Sequence, residues 1–166
     1  MKVLTVWMSV LVFACLPASA MAQTLWQNVS EGMSKAQVSA AQPSALPASD
    51  GELLSYGASC DLAISSQTVA GRPYRVCFYF TNGELVQVSL VSEFLAGKED
   101  VNTVAELLQT KYGAAIKTDA TDRLCDAEWK AGEDTVVTLL YVNAAGTNLL
   151  GIHYQSVKQV ALSKSL

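Results

Sequence analysis

The chain has 166 residues, 51% apolar and only 16% charged, with 11 basic and 15 acidic side chains and a net charge of −4. High apolar content with little charge argues against a disordered chain. The acidic balance argues against nucleic acid or an anionic membrane as partner, because both demand a cationic patch, and Lys98, Lys111, Lys117, Arg123 and Lys130 are well separated.

Residues 1–22 read as an export signal. Lys2 precedes an apolar run from Val3 to Leu16, and Pro17 and the small residues Ala18-Ser19-Ala20-Met21-Ala22 follow. The run is short of the ~20 residues that span a bilayer. Cleavage is expected after Ala22, with Ala20 as the second position. A competing reading treats Val12-Phe13-Ala14-Cys15 as a loose lipobox, with Cys15 acylated, although Phe13 is bulky for that role. Residues 23–166 then form one α+β domain, periplasmic or secreted, with no later transmembrane segment and a length sufficient for its own core.

The first predicted helix covers Lys35 to Gln42. Ser34-Lys35-Ala36-Gln37 is a capping box, Met33 and Val38 have the spacing of a hydrophobic staple, and Pro43 stops the helix. Ser44 to Gly51, with two prolines, reads as a loop. Tyr74–Phe80 and Glu84–Val91 flank Asn82-Gly83, the strongest short hairpin signal, because both turn positions need positive φ. A regular ladder would set Phe80 opposite Leu85, Tyr79 opposite Val86 and Cys77 opposite Val88. It predicts a helix-packed face of Tyr79, Cys77, Val86, Val88 and Leu90. The other face would carry Tyr74, Val76, Phe78, Phe80 and Leu85 together with Gln87 and Ser89.

The second helix is expected from Val101 to Tyr112. Val101, Val104, Ala105, Leu108 and Tyr112 make one stripe, Asp100 is placed to cap it, and Gly113 follows its end. Three more strands are expected at Arg123–Lys130, Thr135–Val142 and Asn148–Tyr154, with Leu150, Ile152 and Tyr154 on one face of the last. The order predicts two tandem α-β-β-β units, residues 25–95 and 96–160, as an antiparallel sheet packed by short helices. Cys60-Asp61 and Cys125-Asp126 give a faint sequence echo between them.

Export permits disulfides. An equivalent hairpin register, with Ser65 to Arg72 as the loop, would place Cys60 opposite Cys77, so these two are expected to pair. The same reasoning sets Cys125 opposite Leu140 as an odd thiol, either a small buried residue or a nucleophile. His153 is the sole histidine, and strand alternation turns it away from Leu150, Ile152 and Tyr154 toward solvent. It is the one candidate general base for a hydrolase, with no nucleophile-elbow motif beside it. Asp119, Asp122, Asp126 and Glu128 are expected to form a solvated acidic edge, since their spacing is not that of a calcium loop. There is no CxxC and no Gly-rich phosphate loop, so neither metal nor cofactor is expected. Asn28-Val29-Ser30 is a formal glycosylation sequon. Tyr74, Phe78 and Phe80 are either core between the two halves or an exposed protein-binding face.

Residues Trp26 to Val38, with Gly32-Met33-Ser34 leading to Val38, resemble the helix start of the SmpA/OmlA outer-membrane assembly lipoproteins and of the tandem helix-plus-sheet repeats of the β-lactamase inhibitory protein family. Leu108 to Gly113 is similar to the corresponding helix end of the second repeat. The resemblance implies a small α+β module that binds an envelope protein and catalyses nothing. Two other readings stand beside it: a hydrolase using His153, and a carrier of a small apolar ligand, which would need an apolar pocket between helix and sheet.

Overall fold

The computed structural model of the chain describes residues 24–163 and 165, apart from 50, 55 and 145. The export signal and Cys15 lie outside the described residues. The fold is α+β. The elements are β1 (Thr24–Trp26), β2 (Val29–Ser30), α1 (Lys35–Ala41), β3 (Leu46–Pro47), β4 (Ser59–Val69), β5 (Arg72–Thr81) and β6 (Glu84–Ser92). They continue with α2 (Lys98–Tyr112), β7 (Lys117–Ala120), β8 (Leu124–Lys130), β9 (Thr135–Ala144), β10 (Thr147–Ser156) and α3 (Val157–Ser163).

Eight strands make one sheet in the order β3-β4-β5-β6-β10-β9-β8-β7, and every pairing is antiparallel. The two strand sets run in mirrored order and meet at the β6–β10 seam, where Leu90 pairs with Ile152 and Ser89 with His153. β1 and β2 form a separate two-stranded ribbon.

Local chemistry sets both helix starts. Ser34 caps α1 reciprocally: its backbone N–H donates to Gln37 Oε1 at 2.9 Å, and its hydroxyl accepts from the Gln37 N–H at 3.4 Å. α2 begins one turn earlier than its apolar stripe, with Gly97 as the N-cap. Asp100 is therefore not the cap. It is the third helical residue, and its carboxylate reaches back to accept the Gly97 N–H at 2.8 Å. The two short edge strands also escape the apolar pattern. β3 lies inside the expected 44–51 loop, where an outermost strand tolerates Pro47, and all four residues of β7 are exposed.

The hairpins show what periodicity does and does not settle. Asn82 and Gly83 have φ of 53° and 84°, as the two-residue turn requires. The regular ladder nevertheless fails at the next step. Leu85 pairs with Phe80, but Gln87, not Val86, pairs with Tyr79. This bulge inserts one residue and returns Val88 and Leu90 to the opposite face. The main core therefore unites Tyr74, Val76, Phe78, Phe80 and Leu85 with Val88 and Leu90, under Val38 of α1 and Val101, Val104 and Leu108 of α2. Cys77, Tyr79 and Val86, the expected helix-packed face, instead join Ala58 and Cys60 in a smaller cluster on the far side.

Residues of the β3–β4 connection cover that far side. Ala48, Leu54 and Tyr56 pack on the small cluster, pinned by Cys60 N–H to Glu52 O at 2.8 Å and Ala48 N–H to Asp61 O at 3.0 Å. β7 and β8 are joined by residues 121–123 alone. On the matching part of the second strand set Leu124, Leu140 and Val142 stay partly exposed, and Leu149 is 36% exposed.

Candidate functional site

Five elements converge on one cleft. α2 supplies Val104 and Leu108 from its buried stripe, then Leu107 at the stripe's margin (48% exposed) and Lys111 one turn further on. The floor is the seam of the sheet: Leu90 of β6 with Ile152 and Tyr154 of β10. Gln67, Thr68 and Val69, at the end of the β4–β5 hairpin, form the next wall. That hairpin closes through Ala70 and Gly71, at φ of 51° and 75°, so β4 runs straight through the expected 65–72 loop. The last wall is the β1–β2 turn, with Trp26 and Gln27. Trp26 packs against Phe78 at 6.0 Å between ring centroids. Gln27 adopts φ of 49°, and its Oε1 accepts from Gln42 Nε2 at 3.1 Å, which holds the turn.

The cleft encloses about 240 Å³. Beyond Trp26, Gln27 and Lys111 a second cavity of about 300 Å³ opens, lined further by Thr24, Leu25, Tyr112, Ala131 and Gly132. Lys111 Nζ lies 5.0 Å from the Tyr112 ring. Burial, then the neighbouring Tyr112, raises the Tyr154 phenol well above its ordinary value, so the floor is neutral.

The residues singled out from sequence fall elsewhere. Tyr74, Phe78 and Phe80 are 0%, 0% and 2% exposed. They are core and present no binding face: β5 lies inside the sheet with the helices over these side chains. Cys60 and Cys77 form a disulfide, with Cα atoms 5.7 Å apart. The pair is not directly opposite, because a register shift places Cys60 across from Tyr79 and Cys77 across from Ala63. Cys125 pairs with Tyr141 rather than Leu140, a one-residue difference that turns its thiol to the core face. The Cys-Asp echo thus joins residues on opposite faces. Cys125 lies in a small cavity with Lys98, Val101 and Tyr141, and burial followed by Asp126 raises its thiol above the ordinary range, which disfavours the thiolate. At the acidic edge Lys117 bridges Asp126 and Glu128, and Lys98 pairs with Asp122 at 2.7 Å. Among the described residues no group of His, Cys, Asp and Glu could hold a metal ion.

His153 is half-buried rather than solvent-facing. Gly151 makes this possible: a Cβ there would lie 2.7 Å from His153 Nε2, so only glycine lets the ring lie flat along β10. Ser89 Oγ is 2.9 Å from His153 Nδ1 across the seam. Ser89 in turn accepts from Gln87 Nε2 at 2.7 Å, and Gln87 Oε1 accepts the Tyr56 hydroxyl. With Gln87 occupying one lone pair, the Ser89 hydroxyl keeps a proton and a second lone pair, so it can pair with Nδ1 of a neutral imidazole in either tautomer. Burial pushes the His153 pKa down to about 4, with Glu52 pulling weakly the other way. Ser89 is 1% exposed, so no electrophile reaches its oxygen, and an imidazole this weakly basic is poorly matched to proton abstraction near neutral pH. The Ser89–His153 pair ties the two strand sets together.

A pH dependence follows. Unfolded, the imidazole protonates near 6.5, and folded only near 4. Between these values the unfolded chain binds more protons. Stability is therefore fully present above pH 6.5 and falls as pH drops toward 4, by up to roughly 3 kcal/mol. Urea melts across that window should show the fall, and His153→Gln should flatten it. An unchanged slope in the variant would contradict the assignment.

No family model, curated protein or solved structure matches the chain. The cleft therefore rests on its own geometry. The carrier reading asked for a pocket between helix and sheet but named none of its lining residues, because the walls come from segments far apart in the chain. One signal was present: Leu107 is an apolar residue beside the buried α2 stripe, not on it.

Proposed function

We propose that the protein is an exported, non-catalytic binding module of the bacterial cell envelope, and that it seats a small apolar ligand between α2 and the sheet. The observation that carries this is a concave site walled by α2, two β-turns and a floor drawn from both strand sets. Ligand sites favour such junctions. Export is supported by the residue 1–22 pattern and by the Cys60–Cys77 disulfide. The mirrored strand order, with a helix preceding each set, supports descent from a duplicated α-β-β-β unit. The sealed Ser89 and the neutral His153 speak against the hydrolase reading.

The test uses the mature, disulfide-bonded chain and decanol as an uncharged apolar probe. Gln67 lies opposite Tyr74 of β5 and so shares the helix-covered face at the cleft wall, outside the core cluster; Gln67→Trp therefore fills the site without removing a core contact. Calorimetry should detect saturable decanol binding to the parent and at least about tenfold weaker binding to Gln67→Trp. Equal binding by both proteins would sink the assignment.

A protein partner is the second reading, favoured by the partly exposed strip of Leu124, Leu140, Val142 and Leu149. A partner recovered from envelope extract by the parent, but equally well by Leu149→Asp, would count against that surface.

A further inference from the structure

We propose that the ligand is a monoanionic amphipath, with its acid head at the junction of the two cavities and its tail over the α2–sheet floor; this rests on the cleft reading above. The charge distribution is the first argument. The protein carries 15 acidic side chains and a net charge of −4, yet no Asp or Glu lines either cavity, and Lys111 is the sole charged residue lining both. Among the described residues Lys111 forms no ion pair; its nearest recorded partner is the face of Tyr112. A long-chain cation would find no counter-charge here, and a neutral ligand would leave the ammonium unused.

The second argument is where Lys111 sits. Trp26, Gln27 and Lys111 are the three residues common to both cavities. Gln27, which lines both cavities, uses its Oε1 to accept from Gln42, which leaves its amide N–H groups available as donors. A carboxylate there meets one ammonium and one amide donor, the pairing that gives charge-assisted hydrogen bonds. From that point the apolar path runs over Leu90, Val104, Leu108 and Ile152, where the lining offers no charge. Cavities of about 240 and 300 Å³ lie at the lower end of ligand sites, so a tail of medium length fits and a diacyl lipid does not.

Calorimetry on the mature chain at near-neutral pH and low salt, with decanoate, decanol and decyltrimethylammonium, tests this. Decanoate should bind about tenfold or more tightly than decanol, and the cation most weakly. Lys111 is exposed near the end of α2, so charge reversal there leaves the fold intact. Lys111→Glu should abolish the preference for decanoate while decanol binding persists, and Lys111→Arg should retain it. Equal affinity for decanoate and decanol, or an unchanged decanoate affinity in Lys111→Glu, would overturn the anionic ligand and leave the cleft standing. Decanoate binding that Gln67→Trp does not weaken would place the anion on the surface and overturn it too. If decanol does not bind the parent at all, the cleft reading itself falls.

Discussion

Phe78→Ala is expected to destabilise the protein by about 3–5 kcal/mol in urea melts. Phe78 is fully buried on β5, inside the sheet, and Trp26 leans on its ring at 6.0 Å. Truncation removes the buried ring and leaves a cavity that neighbouring strands cannot close without breaking ladder bonds. It also removes the support beneath Trp26, so the cleft wall loosens and decanol binding should weaken with stability. An exposed aromatic in a binding face would behave differently, since surface substitutions usually stay within about 0.5 kcal/mol. A Phe78→Ala protein as stable as the parent would therefore return Tyr74, Phe78 and Phe80 to the surface.

Removing the disulfide through Cys60→Ala with Cys77→Ala should cost about 3 kcal/mol, the loop-entropy value for a closed loop near this size. The two cysteines are 17 residues apart. Their bond pins β4 to β5 beneath Leu54 and Tyr56. Its loss frees that cover and, through Tyr56 and Gln87, loosens the Ser89–His153 link across the seam. The cleft lies on the opposite face of the sheet. Decanol affinity should therefore survive in the double variant wherever it remains folded. Urea melts and calorimetry on one preparation separate the two effects. An unchanged melt would contradict the structural role of the bond, and lost binding in folded protein would contradict the separation of the faces.

The sequence was most informative where one short segment decides the outcome. The Ser34–Gln37 box starts a helix without help from the rest of the chain, and Asn82-Gly83 closes a hairpin because Asn and Gly tolerate positive φ. Face assignment failed where it needed a count along two strands at once. The bulge at Val86 exchanged Val88 and Leu90 between faces, and a β8–β9 register one residue off the expected one turned Cys125 inward. Ala70-Gly71 went unrecognised because Ala rarely adopts φ near 51°. The lining of the cleft was illegible for a different reason: Trp26, Gln67, Lys111 and Tyr154 become neighbours only after the sheet has formed. His153 likewise looked exposed by alternation, and only the bare backbone of Gly151 together with Ser89 on the adjacent strand explains its half-buried ring.

The cleft itself is tested most directly by amide NMR of the mature chain during titration with decanoate. Saturable shifts are expected at Trp26, Gln27, Gln67 to Val69 and Leu107 to Tyr112, the residues around the two joined cavities. Shifts confined to Leu124, Leu140, Val142 and Leu149, or none that saturate, would contradict a ligand seat between α2 and the sheet.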